Sequence, residues 1–142
     1  MTPFLERLLD LWQEPLDRRA DPAADFAQLY ADPVTVNGTP LTVADLVARA
    51  RATQSALADL RAEVVHDVEI PGQVVVAFKM HGRHVGPYVT PLGTVAPTGR
   101  TVEIRVTDIL TIADGLITDI WVISDDLGLL RQLDAVQLAP GV

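Results

Sequence analysis

The sequence predicts an α+β domain in which helices pack on one side of a curved antiparallel sheet. Apolar residues recur at helical spacing up to about residue 60, and from about residue 62 they alternate with polar ones. Turn dipeptides separate the alternating segments. A chain of 142 residues fits one domain and carries no internal repeat or linker. We therefore expect a single domain over residues 1–142 with its core at about 22–135.

Composition excludes several classes of function. Eleven basic and nineteen acidic residues give a net charge of −8, and the chain contains no cysteine. Disulfides, thiolate metal sites and cysteine nucleophiles are thus excluded, and the lack of a basic cluster argues against nucleic acid as a partner. No apolar run approaches the ~20 residues of a membrane span. We expect a cytoplasmic protein that needs no membrane, metal or cofactor.

The first half of the chain predicts three helices. A first helix covers about residues 3–13, where leucines recur on one face. A second begins with Asp21 as cap and Pro22 at the first helical position, and Asp32-Pro33 ends it. A third runs from about 43 to 59, where Thr42 and Asp45 resemble a capping box.

The second half predicts four strands and a last helix. The first strand begins after residue 62 and ends at Pro71-Gly72, and the second covers 74–85. Residues 87–100 contain three prolines and are predicted to form a loop. The third and fourth strands, 101–112 and 116–124, flank the turn dipeptide Asp114-Gly115. Asp126 is the predicted cap of the last helix.

Several short motifs occur in order along this half: Gly82-Arg83-His84-Val85-Gly86, Pro97-Thr98-Gly99, a Trp121-to-Asp125 strand end, and Leu129-Leu130-Arg131-Gln132-Leu133. Their order and spacing over about residues 25–135 resemble the SnoaL-like polyketide cyclase family of the nuclear-transport-factor-2-like superfamily. The resemblance implies a cone-shaped sheet wrapped around the N-terminal helices, a closed apolar pocket and homo-oligomers. It also implies ring closure by aldol chemistry without metal or cofactor, or in some relatives hydroxylation.

Asp125 is the first candidate for chemistry. It is in phase at period two with Ile117, Trp121 and Ile123, so it is expected to lie beside an indole in an apolar pocket. Burial there would raise its pKa toward the range useful for proton transfer. The resemblance implies that this residue is the general acid/base. The alternative is a helix cap, because Asp125 and Asp126 precede the last helix.

His84 is the second catalytic candidate, because it follows the apolar phase of Val74, Val76 and Phe78. A neutral imidazole there could hold a substrate oxygen or relay a proton. The alternative is a structural histidine satisfied by a backbone carbonyl. His81 and His84 point to opposite faces of a strand, so we predict no metal site.

Asp108 lies in phase with the apolar residues of the third strand, where an unpaired carboxylate is costly. It is either a second pocket carboxylate that forms an acid/base pair with Asp125, or the partner of an arginine on another element. We favour the salt bridge. The remaining predicted pocket residues, which would bind substrate or belong to the plain core, are Tyr30, Asn37, Phe78 and Trp121.

Two classes of function remain open. The first is a cofactor-independent enzyme that moves a proton next to a carbonyl of an apolar cyclic molecule, or an isomerase or hydrolase using the same carboxylate. The second is a non-catalytic binding or dimerisation module of the same fold. One enclosed cavity shared by Asp125 and His84 would favour the enzyme, and a capping role for Asp125 would favour the module. Strands that are apolar on both faces, as Ile104 and Ile109 show, predict a homodimer packed sheet against sheet.

Overall fold

The computed structural model describes residues 1–141 and has the predicted α+β architecture, a layer of helices on a curved, mostly antiparallel sheet. Val142, the last residue of the predicted domain, lies outside the described residues. The helices are α1 (Pro3–Gln13), α2 (Pro22–Ala27), α3 (Val43–Ala56) and α4 (Asp126–Gln132). The strands are β1 (Tyr30–Val36), β2 (Thr39–Leu41), β3 (Leu57–Ile70), β4 (Gln73–His84), β5 (Tyr88–Thr90), β6 (Gly93–Val95), β7 (Thr101–Ala113) and β8 (Leu116–Ser124).

The N-terminal helices begin where capping residues satisfy their first backbone donors. The Thr2 hydroxyl accepts from the Leu5 amide at the start of α1, and the Asp21 side chain accepts from the Ala24 amide at the start of α2. Thr42 and Asp45 form the predicted capping box of α3. The leucines of α1 are buried against the sheet. Helix α3 ends at Ala56 rather than at 59, because β3 begins directly at Leu57.

The main sheet has the strand order β2-β1-β8-β7-β4-β3. All neighbouring strands are antiparallel except β1 and β8, which pair in parallel. The strands β3, β4, β7 and β8 are those that the alternating pattern predicted. The predicted loop at 87–100 contains the small hairpin β5–β6, which forms a sheet of its own.

Strand β1 is absent from the sequence prediction, which assigned Tyr30 to the face of the second helix. That helix ends at Ala27, and Tyr30 opens β1. The pairing of β1 with β8 shifts register between Tyr30 and Thr35. Pro33 lies within this irregular stretch, where its missing amide proton removes no ladder hydrogen bond. The proline therefore interrupts neither strand nor sheet.

The inner face of the sheet, which meets the helices, carries two apolar clusters. The larger joins α1, α2 and α3 to the middle of the sheet through residues such as Leu5, Phe26 and Val76. The smaller joins α4 to the far ends of β4 and β7 through residues such as Leu129 and Val102. Met80 and Val106 contact both clusters and are themselves half-buried. The inner face is thus less completely covered between the clusters than within them.

A β-bulge in β8 changes which of its residues face inward. Ile117 pairs with Ile112 whereas Asp119 pairs with Thr111, so Thr118 is an extra residue in β8. Because side chains alternate along a strand, one extra residue reverses the phase on either side of it. Ile117 and Ile120 are consequently both buried, and Trp121 points to the opposite, outer face with 57% of its surface exposed.

Candidate functional site

Asp108 is the carboxylate that faces the interior of the domain. It lies on the inner face of β7, directly opposite Val76 of β4 and Val122 of β8. Its side chain is half-buried, and it makes no hydrogen bond or ion pair within residues 1–141, so the favoured interpretation as a salt bridge is wrong. Burial among these apolar neighbours raises the pKa of Asp108 to about 7.

Tyr30 lies in the same interior, in the larger cluster. Its ring is buried and stacks on Phe26 at 5.9 Å between centroids, and Phe26 meets Trp12 edge to face at 5.7 Å. The indole Nε1–H of Trp12 donates to the Tyr30 hydroxyl oxygen at 2.8 Å. Burial raises the pKa of Tyr30, the Trp12 bond opposes this shift, and the nearby charge of Asp108 adds to it. Val76, the cross-strand neighbour of Asp108, belongs to the same cluster as Tyr30, so the two residues lie on the same side of the sheet.

Asp125 does not lie in an apolar pocket beside Trp121, which corrects the placement predicted from strand phase. Its side chain accepts from the Gly128 amide at 2.9 Å and caps α4, and the guanidinium of Arg105 donates to it at 2.7 Å. Those two contacts, the Arg105 bond above all, lower the pKa of Asp125. The bulge at Thr118 reverses the strand phase on which the predicted placement depended, and Asp125 is instead the helix cap. No acid/base pair with Asp108 forms, since the Asp125 carboxylate is held at the α4 terminus.

His84 is fully buried at the far end of β4, where Thr98 rather than a backbone carbonyl contacts its ring. The Thr98 amide donates to its Nδ1 at 3.2 Å, and the Thr98 hydroxyl lies 3.0 Å from the same nitrogen. That hydroxyl accepts from the Arg100 amide, so its own hydrogen is directed to His84 Nδ1. In the neutral ring the hydrogen then sits on Nε2, which has no partner within residues 1–141.

His84 lies far along β4 from Asp108. At about 3.3 Å per residue, the stretch of β4 from Val76, the neighbour of Asp108, to His84 is about 26 Å long. His81, on the outer face, contacts Glu63 at 2.8 Å, so the two histidines point to opposite faces as expected. Within residues 1–141 no cluster of three or more His, Asp or Glu side chains is arranged to hold a metal.

Of the other predicted pocket residues, Phe78 lies in the core, whereas Trp121 and Asn37 lie on the surface. Phe78 is buried in the larger cluster. Trp121 lies on the outer face, as the bulge dictates. Asn37 is exposed in the β1–β2 turn, where its side chain exchanges two hydrogen bonds with the backbone of Val122, at 2.9 and 3.0 Å. Asn37 thus extends the β1–β8 pairing rather than lining a pocket.

Trp12 belongs to this site and was not predicted from the sequence. The helical spacing of α1 indicates an apolar face and says nothing of the Trp12–Tyr30 contact. A cleft of about 560 Å³ lies elsewhere, between the turn after α1 and the start of β3, lined by Gln13, Arg18, Arg51, Gln54 and Asp59 among others. The side chains of Gln54 and Gln13 already form hydrogen bonds with the backbone there. None of the candidate residues lines this cleft.

Comparisons with solved structures support the fold. TsrD from Streptomyces laurentii superposes with a TM-score of 0.79 at 24% identity, covering 94% of this chain and 93% of that one. AclR from Streptomyces galilaeus gives 0.69 at 23% identity over 96% and 90%. A SnoaL-like polyketide cyclase from Agrobacterium tumefaciens gives 0.71 at 17% identity over 94% and 99%. The comparison with curated proteins gives no match.

The curved sheet with helices on its inner face places the chain in the nuclear-transport-factor-2-like class of folds. The family model of the SnoaL-like polyketide cyclases matches residues 5–133. The chain therefore belongs to the SnoaL-like polyketide cyclase family. No helix within residues 1–141 has both the length and the apolar character needed to cross a membrane.

Proposed function

We propose that the chain is a cofactor-independent, cyclase-type enzyme that moves a proton next to a carbonyl of a polyketide-like or other apolar cyclic molecule. Asp108 is the acid/base group. The observation that carries the proposal is a half-buried carboxylate on an apolar inner face, with a pKa raised to about 7 and no partner within residues 1–141. Family membership supports the reaction class.

The chemistry follows from the environment of Asp108. A general acid/base works best when its pKa lies near the working pH, because it then both accepts and returns a proton. An ordinary aspartate ionises near pH 4 and is a weak base at neutrality. The valines opposite Asp108 remove water from the carboxylate and so supply the shift. The same apolar surface favours a ligand that is flat and largely apolar.

The first test measures the carboxyl group directly. In protein with ¹³C-labelled aspartate, we expect the Asp108 carboxyl to titrate at about 7 and the Asp125 carboxyl below the ordinary aspartate range. Asp108→Asn identifies the Asp108 resonance by its disappearance. An Asp108 pKa near that of an exposed aspartate would contradict the proposal, because the site would then lack a base of useful strength at neutral pH.

The second test measures proton transfer. We expect the protein to accelerate exchange of the α-protons of 1-tetralone, an apolar aryl ketone, for deuterium in D₂O. Asp108→Asn keeps the size of the side chain and removes the base, so the acceleration should fall by about 10²–10⁴-fold. Asp125→Asn is the matched control and should keep the wild-type rate. An Asp108→Asn protein as fast as wild type would rule out this role for Asp108.

A non-catalytic binding or dimerisation module is the second candidate. It is favoured by the contacts of Asp125 and His84, the two residues first expected to do the chemistry together. Asp125 caps α4 and accepts from Arg105, and His84 is buried against Thr98. A wild-type protein that binds 1-tetralone but leaves its α-protons at the buffer exchange rate would favour the module over the enzyme.

A further inference from the structure

The Tyr30 hydroxyl accepts one hydrogen bond and donates none within residues 1–141. Its oxygen accepts from Trp12 Nε1–H at 2.8 Å, whereas its own hydrogen meets no acceptor within residues 1–141. A buried hydroxyl hydrogen without an acceptor is unfavourable. The ring is only 4% exposed and is fixed by stacking on Phe26, so the hydroxyl has a defined position.

Trp12 makes this hydroxyl a better donor. A hydroxyl that accepts a hydrogen bond becomes more polarised, and its own donated bond grows stronger. Burial raises the pKa of Tyr30 above its ordinary value, so the group stays protonated at neutral pH and acts as a donor rather than a base. Trp12 and Asp108 are each half-buried, so neither side chain is fully closed off from solvent.

We propose that Tyr30 holds the substrate's carbonyl oxygen while Asp108 acts on the adjacent carbon, which assigns the ligand class as enolisable ketones and phenol-like enols on an apolar ring. This inference rests on the proposed function and adds a second group to it. Asp108 and Tyr30 are then not equivalent: one exchanges the proton and the other stabilises the oxygen that gains charge.

The proton-transfer step balances with these two groups alone. The C–H bond next to the carbonyl breaks, and its proton goes to an Asp108 carboxylate oxygen. The bonding pair forms a C=C bond, and the π pair of the carbonyl moves onto its oxygen, which accepts the Tyr30 hydrogen bond. In ring closure the enolate carbon then attacks a second carbonyl of the same molecule, and Asp108 returns its proton to the alkoxide that forms.

The test compares two fluorescent probes in two proteins. The oxygen of 2-naphthol stands in for the enol oxygen, and naphthalene has the same rings without it. At about pH 6, we expect Tyr30→Phe to weaken 2-naphthol binding by about 2- to 10-fold, the range of one neutral hydrogen bond, and to leave naphthalene binding unchanged. Tyr88→Phe is the matched control, since Tyr88 lies beside His84 at the other end of the domain. It should change neither affinity.

Every other pattern overturns the inference. Equal loss of both probes in Tyr30→Phe would make Tyr30 a packing residue only, and no loss of either would remove it from the site. Wild-type protein that binds neither probe would overturn this inference together with the apolar-ring ligand class. Trp12→Phe checks for a disturbed fold: it removes the same internal hydrogen bond but keeps the Tyr30 hydroxyl, so 2-naphthol should still bind more tightly than naphthalene.

The two proposals fail separately. An Asp108 pKa of about 7 with 2-naphthol bound equally by wild type and Tyr30→Phe would keep the proposed function and remove Tyr30 from it. An ordinary Asp108 pKa with selective loss of 2-naphthol in Tyr30→Phe would keep Tyr30 as a binding residue and contradict the enzyme. The exchange of the α-protons of 1-tetralone also distinguishes the two proposals. Tyr30→Phe should slow this exchange without changing the pH at which its rate rises.

Discussion

At the scale of single residues, the pKa values of two aspartates, Asp108 in the middle of β7 and Asp125 just after β8, are shifted in opposite directions by their surroundings. Asp108 faces apolar side chains, and burial raises its pKa to about 7. Asp125 accepts from the Arg105 guanidinium and from the Gly128 amide in α4, and these bonds lower its pKa. Residue type and strand phase do not separate them, because the difference comes from a bulge and a helix terminus. The environment, rather than the motif, decides which one can be a base.

Asp108 predicts a stability that decreases as the pH rises. Below its unfolded pKa of 3.8 the group is protonated in both states and contributes no pH dependence. Between there and about pH 7 the unfolded chain ionises first, so the free energy of unfolding falls. Asp108→Asn should therefore gain stability relative to wild type across this window, by up to about 4 kcal/mol, at 1.36 kcal/mol per pKa unit. Urea unfolding at either end of the window measures this difference, and a constant difference would contradict it.

Asp125 predicts the opposite sign. Its folded pKa is lowered, so its contribution is present above the unfolded pKa and is lost as the pH falls through the folded one. Asp125→Asn should lower the melting temperature at neutral pH, where the Arg105 charge loses its partner, and converge with wild type in acid. Asp125→Ala should melt lower still at neutral pH, because alanine cannot cap α4 whereas asparagine can. Equal melting temperatures for the Ala and Asn variants would argue against the cap.

At the scale of elements, the motif Gly82-Arg83-His84-Val85-Gly86 packs against three segments: the end of α3, the start of β3 and the turn at Thr98. A Cβ on Gly86 would collide with the Ser55 carbonyl at the end of α3, and a Cβ on Gly82 would stand 3.0 Å from that of Leu57. His84 between them fixes the turn at Thr98. These contacts explain the glycine spacing in this chain by close backbone approach, so the motif serves packing here.

These contacts predict that alanine destabilises the fold more at Gly86 than at Gly82. Gly86→Ala places its methyl group against backbone, which must move, so we expect a loss of about 1–3 kcal/mol in the free energy of unfolding. Gly82→Ala places its methyl group 3.0 Å from Leu57 Cβ, a tight contact that needs a smaller displacement than the one at Gly86, and it should lose less. Chemical denaturation of the two variants gives the comparison. A larger loss for Gly82→Ala than for Gly86→Ala would contradict this account of the motif.

The same elements show what the sequence could and could not predict. The four long strands and the caps at Thr42 and Asp21 were predicted, because alternation and capping are local properties. Strand β1 was missed, since it depends on pairing with β8, which is remote in sequence. The bulge at Thr118 left no local signal, and it turned Trp121 and Asp125 away from the interior. Phe78 and Asp108 face inward as the strand phase predicted, because no such bulge interrupts the β4–β7 pairing around them. Tyr30 is inside as well, although the sequence placed it on a helix rather than on β1.

At the scale of the whole molecule, the outer face of the sheet carries an apolar row formed by Val68, Val75, Ile109 and Trp121. Each residue is the direct cross-strand neighbour of the next, so the row crosses β3, β4, β7 and β8 without a gap. Val68 is 59% exposed and Trp121 57% exposed, and Ile123 beside them is 76% exposed. Contiguous exposed apolar surface of this kind is typical of an interface. It supports the homodimer as a proposal.

The outer row predicts how the assembly responds to a charge. If two copies pack sheet against sheet, light scattering should find a species of twice the 15.4 kDa chain mass, and Trp121→Glu should shift it to the monomer, because a carboxylate would be buried without a partner. The fold should survive, since Trp121 is already more than half exposed. Leu92→Glu makes the same change at the exposed tip of the β5–β6 hairpin and should leave the dimer intact.

Each chain carries a net charge of −8, so added salt should strengthen association by screening the repulsion between copies. A wild-type protein that stays at the monomer mass at micromolar concentration in high salt would contradict the dimer.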